Sequence, residues 1–200
     1  MVTCRDNYVC MEWKQFYILS IVKESRGNMN AFIMIIPFIL IRFGFLNLLD
    51  KEALKRAALF APLVGKEKVA YYFYQTSNIV IFLYLCFLKI TTNPHWLYIG
   101  SMIYGLGVLL CLVSISNFAK PAENGINLKG LYRVSRNPMY VAYFIYFLGC
   151  VLLTQSLILF AILLVFQISA HWIILSEERW CIKKFGKEYI NYMSQVRRYI

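Results

Sequence analysis

Acid is scarce in this chain. Asp and Glu together number 10 against 21 Lys and Arg, and His occurs only 2 times in 200 residues. A metal centre built from carboxylates and imidazoles therefore has little to draw on. His95 and His171 have no cysteine or carboxylate at metal-ligand spacing, so no metal is expected. The cysteines (Cys4, Cys10, Cys86, Cys111, Cys150 and Cys181) include no C-x-x-C pair, which argues against a zinc ribbon. They read as reduced packing residues. A secretory signal peptide is also missing from view. The first 28 residues mix both charge signs, and the first long apolar run, from Met29, has no small-residue cleavage site.

What the chain has in excess is apolar surface. Hydrophobic residues make up 60% of it, and the mean hydropathy is +0.57. A soluble domain of this size has no core large enough to hide that much. Apolar runs at about 29–49, 69–89, 96–117, 139–154 and 157–175 approach the roughly 20 residues that a bilayer-crossing helix needs. The expected fold is all-α: one membrane-embedded domain over 1–200, a polytopic bundle of about five transmembrane helices. The last two are separated by only "TQS" and must form a tight hairpin.

The net charge of +11 admits two readings, nucleic-acid binding or cytosolic loops. No recognition helix or stacking platform is apparent, so no nucleic-acid partner is expected. Five spans would put residues 50–68, 118–138 and the tail from Ser176 on one side. These segments carry fifteen Lys and Arg, against five on the other side. The positive-inside rule then makes theirs the cytosolic side. In the tail, Ile182, Phe185, Tyr189, Tyr192 or Met193, and Val196 recur at helical spacing. They predict a cytosolic amphipathic helix, lying on the membrane or folded back over the span ends, with Gly186 as a possible bend.

Three features carry chemistry. In "GLYRVSRNPMY", Asn137 suits a helix N-cap and Pro138 the first helical position. The free N–H groups there, with the Arg136 fork alongside, suit a carboxylate or phosphate. The alternative is an arginine reaching lipid phosphates before an ordinary cap. Glu177 and Glu178 come directly after the last span, at the unfavourable end of its dipole, and call for a cation. Arg136, Arg179 or a cationic ligand could supply it. Neighbouring helix positions point about 100° apart, so the two acids must do different jobs. Gly105 and Gly107, in the third span, allow a neighbouring helix or a flat ligand to approach. Arg42 and His171, inside spans, are further candidates without an evident partner.

These elements in order, "GLG", "GLYRVSRNPMY", the apolar hairpin and "EERWCIKKFGKEYINY", resemble the integral-membrane methyltransferases related to isoprenylcysteine carboxyl methyltransferase and phosphatidylethanolamine N-methyltransferase. The resemblance covers roughly residues 100–196, within the methyltransferase-like cofactor-binding half, 96–200. The spans of 1–95 carry no family mark. It implies S-adenosyl-L-methionine as cofactor, held by Gly105, Gly107, Arg136, Asn137, Pro138, Met139, Tyr140, Glu177 and Glu178. Arg136, Tyr140 and Glu178 would serve the reaction. The family's frequent histidine is Asn137 here, which cannot titrate near neutral pH. A lipophilic acceptor or prenylated substrate would enter from the membrane lipids and be methylated at the cytosolic face. Alanine at Arg136 or Glu178 would then abolish cofactor binding and leave the protein folded. A sterol-reductase-like enzyme using NADPH, with Lys129, Arg133 and Arg198 on its phosphates, and a non-enzymatic scaffold are the rival readings.

Overall fold

The computed structural model describes residues 26–58, 60–121 and 125–200. The N-terminal basic segment, Cys4 and Cys10 lie outside them, Arg26 apart. The described chain is mostly helical. In order it forms β1 (Arg26–Asn30), α1 (Ala31–Leu49), α2 (Lys51–Ala58), α3 (Lys66–Leu85), β2 (Lys89–Thr91), α4 (Pro94–Ala119), α5 (Pro138–Thr154), α6 (Leu157–Phe185) and α7 (Lys187–Gln195). A helix stands at each of the five expected spans. Among the described residues α1, α4 and α6 are long and apolar enough to cross a membrane, and α5 is a shorter apolar helix.

Three details differ from the sequence reading. β1 and β2 pair as a small antiparallel sheet, Arg26 opposite Thr91 and Asn30 opposite Lys89, so the fold is not purely helical. The pairing ends α3 at Leu85, four residues before the expected limit. At the other extreme, α6 does not stop near 175. It runs unbroken through both glutamates to Phe185, where Gly186 at φ +59° turns the chain into α7. A left-handed backbone there favours glycine.

Helices α4 and α5 pack antiparallel at very close range. A Cβ on Gly107 would lie 2.5 Å from the Tyr146 Cα, and one on Gly149 2.5 Å from the Tyr104 Cα. Helices α3 and α6 also run antiparallel. Arg179 meets Glu67 at one end, and Ser156 Oγ donates to Tyr84 OH at the other. The α5–α6 hairpin closes through Gln155, in the left-handed region at φ 49°, and Ser156, whose hydroxyl accepts from the Leu159 N–H as an N-cap. Phe38 of α1 is the hub of the core, with ring centroids 5.1–5.4 Å from Tyr143, Tyr146 and Phe147. Cys86, Cys111, Cys150 and Cys181 are free thiols.

This topology brings the segments 50–68, 118–138 and the C-terminal tail to one end. Arg179 reaches the Pro62 carbonyl, Arg56 lies 5.8 Å from the Phe118 ring centroid, and Arg136 touches Met193. The two-stranded sheet sits at the opposite end, with Ala31 N–H donating to Leu88 O.

Candidate functional site

The polar end is assembled around the start of α5. Before it, Gly130–Arg133 form a 3-10 turn. Gly130 has φ +60°, and a Cβ on it would collide with the Asn117 side chain, so the loop is pressed against the end of α4. Tyr132 is buried here, and its carbonyl accepts a 2.6 Å hydrogen bond from Tyr192 OH of α7. Burial pushes the Tyr192 phenol up to about 12, against the opposing charge of Arg136, so it remains a neutral donor at physiological pH. Ile126, Tyr189 and Tyr192 form a small second core with Leu128, Cys181, Phe185, Met193 and Val196. The apolar stripe of the tail therefore folds back onto the preceding loop.

Arg136 and Glu178 meet directly. Arg136 Nη2 lies 2.9 Å from Glu178 Oε1, with side chains 8% and 5% exposed. Arg136 Nη1 donates to the Met193 carbonyl, and its Nε is buried without a partner among the described residues. Glu178 also accepts from Arg198, whose Nε reaches both carboxylate oxygens at 3.1 Å and whose Nη2 reaches Oε2 at 2.8 Å. That bonding raises the Arg198 pKa further. Of the cations the sequence offered for the two glutamates, Arg136 is the one used. Arg179 instead forks onto Glu67 at 2.6 and 2.7 Å.

Arg198 belongs to a C-terminal strap that no local pattern announces. Ser135 and Arg197 form a parallel bridge. Arg136 N–H donates to Arg197 O, Asn137 Nδ2 and Ser135 Oγ donate to Arg198 O, and Tyr199 OH lies 2.7 Å from His171 Nδ1. This settles the partner of His171. Beyond Val196, "RRYI" has no helical period, and its placement appears only through long-range pairing. Deleting residues 196–200 is expected to loosen α7. Hydrogen exchange should speed up across 187–195 while α4 and α5 stay protected.

Glu177 faces a different neighbour. Its Oε1 accepts a 2.9 Å hydrogen bond from Tyr140 OH, and no ion pair holds it among the described residues. The Tyr140 ring lies edge-on to Tyr74, centroids 6.3 Å apart. The adjacent acids have different neighbours: one is locked between two arginines, the other is bonded to a phenol.

The remaining expected ligand residues separate. Pro138 opens α5 as the first helical residue. Asn137 stands at the N-cap position, but its side chain makes no cap bond and turns to Arg198 O. Met139 points its sulfur towards Arg42, 3.9 Å from Nη1. Gly107 is a correction. The space that its missing side chain leaves is filled by the Tyr146 backbone, so it serves helix packing and has no room for a flat ligand. Gly105, two residues earlier, faces away from that contact with nothing within 4 Å of an added Cβ. Both lie level with residues 146–148 of α5, about 12–15 Å along the helix from Pro138. Arg136 is likewise more occupied than expected, since Glu178 and Met193 take both its terminal nitrogens.

No curated protein and no solved structure matches the chain. Residues 116–188, which run from the end of α4 through the strap-bound loop, the hairpin and both glutamates, match the family model for phospholipid methyltransferases, the membrane methyltransferase family that the sequence resembles.

Proposed function

We propose that this integral membrane protein transfers a methyl group from S-adenosylmethionine to a lipophilic acceptor at the cytosolic edge of the bilayer. The observation that carries the reading is the meeting of Arg136, Tyr140, Glu177 and Glu178 at one end of the hairpin, inside the segment that matches the family. The concentration of Lys and Arg at that end supports its facing the cytosol.

The donor set fits a small zwitterionic cofactor in part. Arg136 Nε is a buried N–H with no partner, suited to a carboxylate oxygen. Glu177 is in no ion pair among the described residues, which suits it to an ammonium. Gly107 does not fit, for the packing reason above. The cofactor would supply an electrophilic methyl group on a sulfonium sulfur. The chain would contribute position and charge: Glu177 orienting a cation, Tyr140 fixing the rotamer of Glu177, and the buried Arg136–Glu178 pair holding α5 and α6 in register. Much of the rate would come from positioning and the exclusion of water.

The test is binding of S-adenosylhomocysteine to the purified chain, with NADPH as control, followed by labelled-methyl transfer to extracted lipids. Glu177→Gln is expected to lower affinity for S-adenosylhomocysteine by about tenfold or more while unfolding like wild type, since one charge-assisted bond is lost. Binding of NADPH and not of S-adenosylhomocysteine would replace this reading with the reductase one.

A further inference from the structure

Arg42 is a charged residue in the first apolar helix, and the structure gives it an unusual setting. The run Ala31–Leu49 switches into a π-helical turn over Leu40–Phe45, with Arg42 inside it. Such turns are rare and cluster at functional positions. The guanidinium projects to the first turns of α5. Nη2 donates to Ala57 O at 2.8 Å, Nη1 lies 3.9 Å from Met139 Sδ, and the group sits 5.8 Å from the Tyr143 ring centroid.

All these partners are neutral. Arg136 and Arg198 share Glu178, and Arg179 holds Glu67, but Arg42 is in no ion pair among the described residues. Met139, which Arg42 approaches, leads on to the Glu177 site. Glu177 in turn is bonded to Tyr140, next in sequence to Met139. A cation and an acid thus flank the first turn of α5, neither of them in an ion pair among the described residues. A cation in an apolar span is costly unless it meets an anion.

We propose that Arg42 is an anion subsite: it holds the carboxylate or phosphate of an amphiphile whose tail lies against the exposed apolar side of α1, where Leu40 and Phe43 flank it. The planar fork suits both anions. This deepens the reading above, because it places an anionic head group beside Glu177 and so selects acceptors that carry one.

The test compares three probes with one tail, palmitate, hexadecyl phosphate and hexadecanol, added to the full chain in maltoside micelles and read by tryptophan fluorescence. The two anions are expected to bind about tenfold tighter than the alcohol. Arg42→Gln should remove that preference and Arg42→Lys should keep part of it. Equal affinity of the wild-type chain for all three probes would overturn the proposal, even if the glutamine variant failed to fold. Inorganic phosphate should compete only weakly; full competition would overturn the amphiphile assignment. Absence of S-adenosylhomocysteine binding would sink the methyl-transfer reading and leave the anion preference to be judged on its own.

Discussion

Glu178→Ala is expected to destabilise the folded protein by about 3–5 kcal/mol, the cost of leaving one partner of a buried ion pair uncompensated. The reason lies in what remains. Glu178 is the acceptor for both Arg136 and Arg198, and Arg136 has almost no access to solvent. Its removal strands a guanidinium whose Nε already lacks a partner. The sequence alone suggests that alanine at Arg136 or Glu178 simply abolishes ligand binding in a folded protein. The burial of the pair changes that expectation, because stability and binding would fall together. Arg136→Met with Glu178→Leu in one chain is expected to recover most of the loss, since an apolar pair of similar volume avoids the stranded charge. Chemical unfolding in detergent measures both. A Glu178→Ala protein as stable as wild type would show that the pair does not brace the hairpin.

Gly107→Val is the second large effect. The added carbons would meet the Tyr146 backbone at 2.5 Å, where no flexible side chain can give way. Helices α4 and α5 must separate, and we expect a loss of about 1–3 kcal/mol or more. Gly105→Ala makes the contrast. Nothing lies within 4 Å of its Cβ, so it is expected to be neutral or to stabilise α4 by up to about 1 kcal/mol through helix propensity. Thermal unfolding of the two variants side by side separates a packing role from a ligand role. If both lost cofactor affinity with unchanged stability, the glycines would belong to the pocket after all.

The architecture was largely legible because burial in lipid writes itself into long apolar runs. Each of the five runs became a helix, and "TQS" forced the hairpin. The gathering of 50–68, 118–138 and the tail at one end followed from counting crossings. Local periodicity could not tell where α6 ends, since charged residues continue a helix as readily as apolar ones until Gly186 breaks it. It also could not pair β1 with β2, a contact between segments some sixty residues apart in the chain. At the site, the sequence showed that Glu177 and Glu178 must diverge but not which would meet an arginine. That choice depends on the strap, and a five-residue end has no pattern to announce it. Arg42 stood out only as an anomaly of charge in an apolar run. Its contacts come from two other elements, α2 and α5, that the sequence does not place beside it.

The length of α6 has one more consequence. Its 29 residues extend for about 43 Å, against a hydrocarbon layer of about 30 Å. Counted from Leu157, that thickness is used up at about Glu177, so the carboxylate would sit where acyl chains give way to glycerol esters. An amphiphile could present its head there without lifting its tail from the leaflet. Turnover of such a molecule would then follow its mole fraction in the membrane plane, and diluting it with inert lipid at constant bulk concentration should slow the reaction.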